Sequence, residues 1–567
     1  MAGLIDRMVA AVSPAAGARR MVARQTMERV AAISAAMPVS PGGKISGPGG
    51  YVGGQNTRAT RKLKAKARGA NQDMAKLQTL TARSAYAAMN YPLATALVER
   101  RVTFTVGTGM MAIPQIDGKR LGLDQDEAAL LTATIMRDYD RYMASTDPDV
   151  ERVATGYEQQ AIILRGKLVR GDVLGLRCMP KLTEQPGRAH RMAWKLIEGD
   201  RILSPDNHTD GEPLGGKGPV VVHGVELDGY GAATAYHVLA KAPTSAMSSR
   251  QANDTVRIPA WGDQTGLPSA LLVMGKDRPE QARGIPMLAP VIDLLVTISS
   301  LTEAEAWAAA MSSMIAIVYT SPDAAELPQA DYGNGEIVQA EAMPETLGTA
   351  QSEYNLDVGT VLELDQDSKV DAGPLGRPNP NYEPFFKALA QQLGAATGTP
   401  VEVVLLAFQS SYTASKAAIE CYYTEIAPER ESLGSKWCDP HYRAWLFEQV
   451  AKGRYPQING FFDDPLRREL WSDVRHRGDG KISLNPQQEM KAFEVAEAHG
   501  WLTGSEIAAL LFGGDYDSNV KTRIGEHERW VAGGLPVPGA KGGGAAPASD
   551  HAAPGEGDDN GEQTDGQ

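Results

Sequence analysis

Three places in this sequence offer residue types and spacings that could do chemistry. Gly107-Thr108-Gly109 follows an apolar run and could cradle a phosphate, but the third glycine of a dinucleotide fingerprint is missing and Met110 and Met111 occupy the turn. Cys438 and His441 stand at the spacing of half a zinc site without a second Cys or His pair, and read as structural residues near a helix start. Asp515, Asp517, Asn519 and Glu526 fall at positions 1, 3, 5 and 12 of a calcium loop. Position 6 is Val520 where the turn demands glycine, so a helix start capped by Asp515 or Asp517 is the better account. Neither GxxxxGK[ST] nor G-x-S-x-G occurs. These residues support no catalysis, no cofactor and no metal.

The elements that would position such groups alternate in period. Helix is expected from about Gln72 to Arg101, with a break at Tyr91-Pro92. Val102 to Ile113 (VTFTVGTGMMAI) reads as a strand with a glycine turn, Asp124 to Ala144 and Glu151 to Arg170 as helices, and Asp172 to Met179 as a strand. Between Trp194 and Val273 short apolar runs separated by Gly, Pro, Asp and Asn predict a β-rich insertion. Ile285 to Val318 carries a broad apolar stripe at helical spacing. Thirty residues of unbroken helix there would span about 45 Å. Ser321 to Gly359 is a polar, acidic excursion, Val361 to Leu364 a short strand, and Asn379 to Ala396, Ala414 to Val450 and Pro486 to Trp530 are helical. The expected fold class is α+β, with a long helix connecting separate modules.

The chain has 567 residues and a net charge of −13. Its 22% charged and 43% hydrophobic residues exclude a wholly disordered or fibrous protein. The charge is unevenly placed: 13 basic and 3 acidic residues give Met1 to Lys76 a net +10, Gly534 to Gln567 carries −5, and the body between them −18. The basic arm has a solvated reading and a partner-contact reading, to nucleic acid or an acidic surface. The glycine-rich acidic tail has too little apolar surface to offset its ordering entropy and is expected to be disordered. Three widely spaced cysteines cannot make a disulfide framework. No secretory h-region is evident, and Asp293, Glu303 and Glu305 interrupt the most hydrophobic stretch, Pro286 to Tyr319. A soluble intracellular protein with no membrane contact is expected.

Arg278 to Glu305 lies in the run DRPEQARGIPMLAPVIDLLVTISSLTEAEAWAAA. This resembles the signature of lambda-family bacteriophage portal proteins, an RPxQxRGxPxLxPV segment opening a long helix. Three further segments match in collinear order: RPNPNYEPFFKALAQQLGAATGTPV at Arg377 to Val401, NYPLATALVERRVTFTVGTGM at Asn90 to Met110, and, more loosely, SYTASKAAIECYYTEI at Ser411 to Ile426. The family's Tyr-Ser-Ser-Ala-Arg run becomes Tyr412-Thr-Ala-Ser-Lys416, and the acidic excursion has no counterpart.

The resemblance implies a head-tail connector: a ring of about twelve copies at one capsid vertex, through which double-stranded DNA is packaged and ejected. Its implied partners are the terminase large subunit, the major capsid protein and scaffold, and head-tail completion proteins. The implied place is the virion, after assembly in the bacterial host cytoplasm. Between the basic arm at 1–70 and the acidic tail at 533–567, it further implies a wing at 71–193 and 321–485, a β-rich clip at 194–273, a stem helix at 274–320 and a crown at 486–532. The motif residues are Arg278, Arg283, Gly284, Pro286, Arg377, Pro378, Asn379, Pro380, Tyr412 and Lys416, in structural or channel roles. A different capsid or tail subunit, or a DNA-packaging accessory factor, is the alternative function.

Overall fold

In the computed structural model, the residues described are 68–535, apart from 206–207, 217, 241–254, 264, 321–359, 365–378, 409–410, 481–485 and 513–515. The basic arm up to residue 67, the acidic excursion and the tail from 536 therefore lie outside the described residues. So do Arg377 and Pro378.

The chain opens with α1 (Ala70–Asp73), α2 (Leu77–Asn90) and α3 (Pro92–Thr105). Tyr91 ends α2 and caps α3, and Pro92 sits in the first turn of α3, where its missing N–H costs no hydrogen bond. Next come β1 (Met111–Pro114), α4 (Gly118–Leu121), α5 (Gln125–Ala144), α6 (Gly156–Arg170) and β2 (Asp172–Cys178). Thr155 and Glu158 form a capping box at the head of α6.

Two expectations fail here. The strand read at Val102 to Ile113 is helix as far as Thr105 and strand only from Met111. Ala94, Leu97, Val98, Arg101, Val102 and Thr105 are all buried, which is a helical stripe. Packing along that stripe overrides the β-branched composition. The helix expected from Glu151 begins at Gly156 instead, because the Asp149 carboxylate accepts the backbone N–H groups of Glu151, Val153 and Ala154 and holds them in a turn.

The β-rich expectation holds: β3 (Ala193–Glu198), β4 (Val220–Val222), β5 (Val225–Leu227), β6 (Ala233–Leu239), β7 (Thr255–Pro259) and β8 (Ala270–Met274). They make an antiparallel sheet ordered β3-β2-β8 and another ordered β4-β5-β6-β7. The insertion thus leaves and returns on either side of β2. Successive residues of β2 face opposite ways: Val173 belongs to the large helical core and Leu174 to the core between the sheets.

The long helix is shorter than expected. A 3₁₀ turn at Ala289–Val291 leads into α7 (Ile292–Met314), and the chain then becomes β9 (Ile315–Thr320), parallel to β10 (Thr360–Leu364). Twenty-three residues of helix span about 34 Å. Pro286 and Pro290 delay the start, and the IAIVYT run takes the extended form at the end.

The remainder is α8 (Tyr382–Thr397), α9 (Val401–Leu405), α10 (Tyr412–Leu433), a π-helical turn at Gly434–Cys438, α11 (Asp439–Ala451), α12 (Pro465–Trp471), β11 (Val474–Arg477), α13 (Pro486–Ala498), α14 (Gly504–Phe512) and α15 (Tyr516–Ala532). β11 pairs antiparallel with β1. Trp194, Trp437, Trp445 and Trp471 are fully buried in the helical core, so a low aromatic content is concentrated where it stabilises most.

Candidate functional site

The motif segments meet in buried polar junctions. Arg283 is 3% exposed and uses all five of its N–H donors. Nε and Nη2 donate to the two Asp172 carboxylate oxygens at 2.7 and 2.9 Å, Nη2 also to the Gly199 carbonyl, and Nη1 to the carbonyls of Ile202 and His223. One guanidinium therefore ties the start of β2, the turn after β3 and the β4–β5 hairpin to the segment that leads into α7. Its planar fork matches the carboxylate bidentately, which a lysine could not do. The backbone N–H of Gly284 adds a third bond to Asp172, at 2.9 Å.

Gly284 is required by close approach. A Cβ there would lie 1.9 Å from the Gly171 carbonyl oxygen, and one on Gly171 would lie 2.5 Å from that of Gly284. Pro286 is buried just beyond, and its carbonyl accepts the N–H of Ala289 as the 3₁₀ turn begins. Arg278 is half-exposed and pairs with Asp73 of α1. The Asn71 side chain holds the same segment, donating to the Glu280 carbonyl at 2.9 Å and accepting from the Ala282 N–H at 3.0 Å.

A second junction joins two of the resembling segments to the part of α10 that lies beyond the fourth. Arg101 on α3 donates to Glu429 of α10 at 2.6 Å and to the Thr397 carbonyl at the end of α8. Lys167 on α6 reaches the other Glu429 oxygen at 3.2 Å. Burial opposes ionisation of Glu429, but the two cations outweigh it and hold its carboxyl below the ordinary range. Arg430, the next residue, donates to the carbonyls of Phe104 and Thr105 and so satisfies the last turn of α3.

Asn379 and Pro380 are exposed, and the Asn379 side chain accepts the N–H of Asn381 in the turn that opens α8. Tyr382 then donates its hydroxyl to Thr302 on α7 at 3.2 Å. Lys416 on α10 pairs with Glu489 of α13 at 3.2 Å and lies 3.8 Å from Glu420. Tyr412 is the first residue of α10.

The first two chemical candidates are not organised as reactive sites. Gly107 and Gly109 have positive φ, but the loop between them is filled from within: the Asp479 carboxylate accepts from the Thr108 N–H at 2.8 Å and from its hydroxyl at 2.7 Å. A carboxylate of the chain thus takes the place a phosphate would need. Cys438 and His441 are buried in the helical core. Burial drives the Cys438 thiol well up, and it lowers His441, with help from nearby His476, to about 3. Among the described residues no group of three or more His, Cys, Asp or Glu could hold a metal ion. The calcium-loop reading falls partly outside them, since residue 515 and the side chain of residue 517 are not described.

The family model described as phage portal protein, lambda family, matches residues 56–428. The chain belongs to that family. It is a family of structural proteins, and its match covers all four resembling segments and the Arg283–Asp172 junction, ending one residue before Glu429. Solved structures similar to this portal-family chain include the neck of a native gene transfer agent particle, computed with C12 symmetry, at 12% identity and TM-score 0.39, covering 77% of this chain and 93% of that one. The neck of the empty particle, computed with C6 symmetry, is similar at 11% identity and TM-score 0.37 over 83% and 95%. The native virion of the agent follows at 12% and 0.35 over 81% and 94%. No described helix is long and apolar enough to cross a membrane.

Asp172, Asn71 and Glu429 are the residues that sequence reading missed. An acid directly after a helix-ending glycine and before an apolar strand, as at Asp172, was a signal of a buried charge; its partner, 111 positions away, was not visible.

Proposed function

We propose that this chain is the portal subunit of a phage-like particle, a ring of about twelve copies at one capsid vertex through which double-stranded DNA is packaged and ejected. The match to the portal family over residues 56–428 is the observation that carries this reading. In it, the terminase large subunit docks on the ring and supplies the hydrolysis, head-tail completion proteins join it after filling, and capsid protein and scaffold surround it. The chain itself is not an enzyme. The β-rich 194–273 region is the clip, α7 with its lead the stem, α13 to α15 the crown, and the helical remainder the wing.

The charge supports a conduit. Tight DNA binding comes from neutralising phosphates, whereas a body of −18 repels them and lets the strand slide. Arg283 supports a structural role over a channel role, because no N–H of its guanidinium remains for a phosphate.

Light scattering of the purified chain tests the ring. Twelve copies of 60.6 kDa give a particle of roughly 730 kDa. A monomer or dimer under assembly conditions would refute the ring and favour an accessory factor. Negative-stain images with an axial hole separate a portal from a shell or tail subunit.

A further inference from the structure

His223 occupies an unusual place. It is the first residue of the two-residue turn between β4 and β5, at φ 48°, where glycine, asparagine or aspartate is the ordinary choice. Its imidazole is mostly buried, at 15% exposure, between two groups that can only accept hydrogen bonds. Nδ1 lies 3.0 Å from an Asp210 carboxylate oxygen, and Nε2 lies 3.2 Å from the backbone carbonyl of Asn71. A neutral imidazole carries one proton. If that proton sits on Nε2, the Nδ1 lone pair faces a carboxylate; if it sits on Nδ1, the Nε2 lone pair faces a carbonyl. Only the imidazolium satisfies both.

We propose that His223 is a proton-operated latch: as the imidazolium it clamps the segment carrying Asn71 to the β4–β5 hairpin, and on losing a proton it releases one of the two grips. The charges around it agree. Asp210 raises His223 above its ordinary 6.5 against the opposing effects of burial and of Arg283, while Asp210 itself is held at about 2, burial opposing and His223 and Ser204 prevailing. Arg283, whose Nη1 donates to the His223 carbonyl, is balanced by Asp172. From the opposite wall of the adjoining groove, about 800 Å³ in volume, come Asp73, Lys76 and Arg83, with Asp73 paired to Arg278.

The sign follows from linkage. A raised histidine contributes stability that is full below its unfolded value and is lost as pH rises through its folded value; Asp210 contributes above 3.8 and is lost toward about 2. The latch is therefore closed in mildly acidic solution and opens on the alkaline side. Its effect reaches beyond the hairpin. The Asn71 side chain grips Glu280 and Ala282, so the opening loosens the segment that leads into α7.

Hydrogen exchange followed by mass spectrometry on the full chain tests this. After correction for intrinsic rates, protection of peptides within 70–80 and 278–284 should fall about tenfold between pH 6 and pH 9, while peptides within 382–397 stay level. In His223→Asn, which tolerates the turn's positive φ, protection should be low and flat with pH. In Asp210→Asn the midpoint should move to lower pH. A flat wild type, the same step in His223→Asn, an unmoved midpoint in Asp210→Asn, or an equal step in 382–397 overturns the latch.

Discussion

Gly284 lies so close to Gly171 that a Cβ on it would stand 1.9 Å from the Gly171 carbonyl oxygen. Both partners are backbone, so neither can swing aside. The glycine of the RPxQxRGxP run is there for this crossing, which brings the lead of α7 against the end of α6 and lets the Gly284 N–H reach Asp172.

Gly284→Ala should therefore lower stability by about 3 kcal/mol or more, at the upper end of overpacking costs. Gly69→Ala, where a Cβ meets nothing within 4 Å, is the control and should be near neutral. Denaturant midpoints of both variants check this, and equal midpoints would remove the close-approach argument.

Removing one member of the Arg283–Asp172 pair leaves the other charged and buried. Arg283→Ala and Asp172→Ala should each cost about 3–5 kcal/mol, and the double variant well under their sum. Loss of ring formation in Arg283→Ala is the expected outcome. Intact rings that fail to package DNA would instead point to the channel role.

Glu429 answers two cations, and its carboxyl is held below the usual 4.5. A depressed carboxylate contributes stability above its unfolded value and loses it as pH falls through the folded one. Wild type should exceed Glu429→Gln by several kcal/mol at pH 7, by the cost of breaking a buried pair, and the gap should narrow on acidification below about pH 4.5. A gap that stays constant from pH 7 to pH 3 would falsify the assignment.

Asp479 closes the Gly107–Gly109 turn from within. Asp479→Ala should speed amide exchange at Thr108 and neighbouring residues, with the remainder of the chain unchanged. Wild type should show no binding of adenine nucleotides in equilibrium dialysis.

Much of the fold was legible locally. The Tyr91-Pro92 break and Asp124 mark helix boundaries, and the change to short apolar runs after Trp194 marks the β insertion. Two of the errors share a cause. At Val102–Thr105 composition favoured strand while the burial stripe from Ala94 to Thr105 was helical, and at Glu151 the helix pattern yielded to a single side chain, Asp149. Both outcomes depend on what packs against the segment.

By itself the sequence determined the family, through four ordered segments, and the kinds of element, through spacing and caps that act over a few residues. It also showed that the charge lies in an arm, a body and a tail. Only the tertiary structure decided that Arg283 meets Asp172, that Arg101 meets Glu429 across 328 positions, and that His223 lies between two acceptors. A buried ion needs its partner within about 3 Å, and a folded chain supplies that partner from any distance along itself.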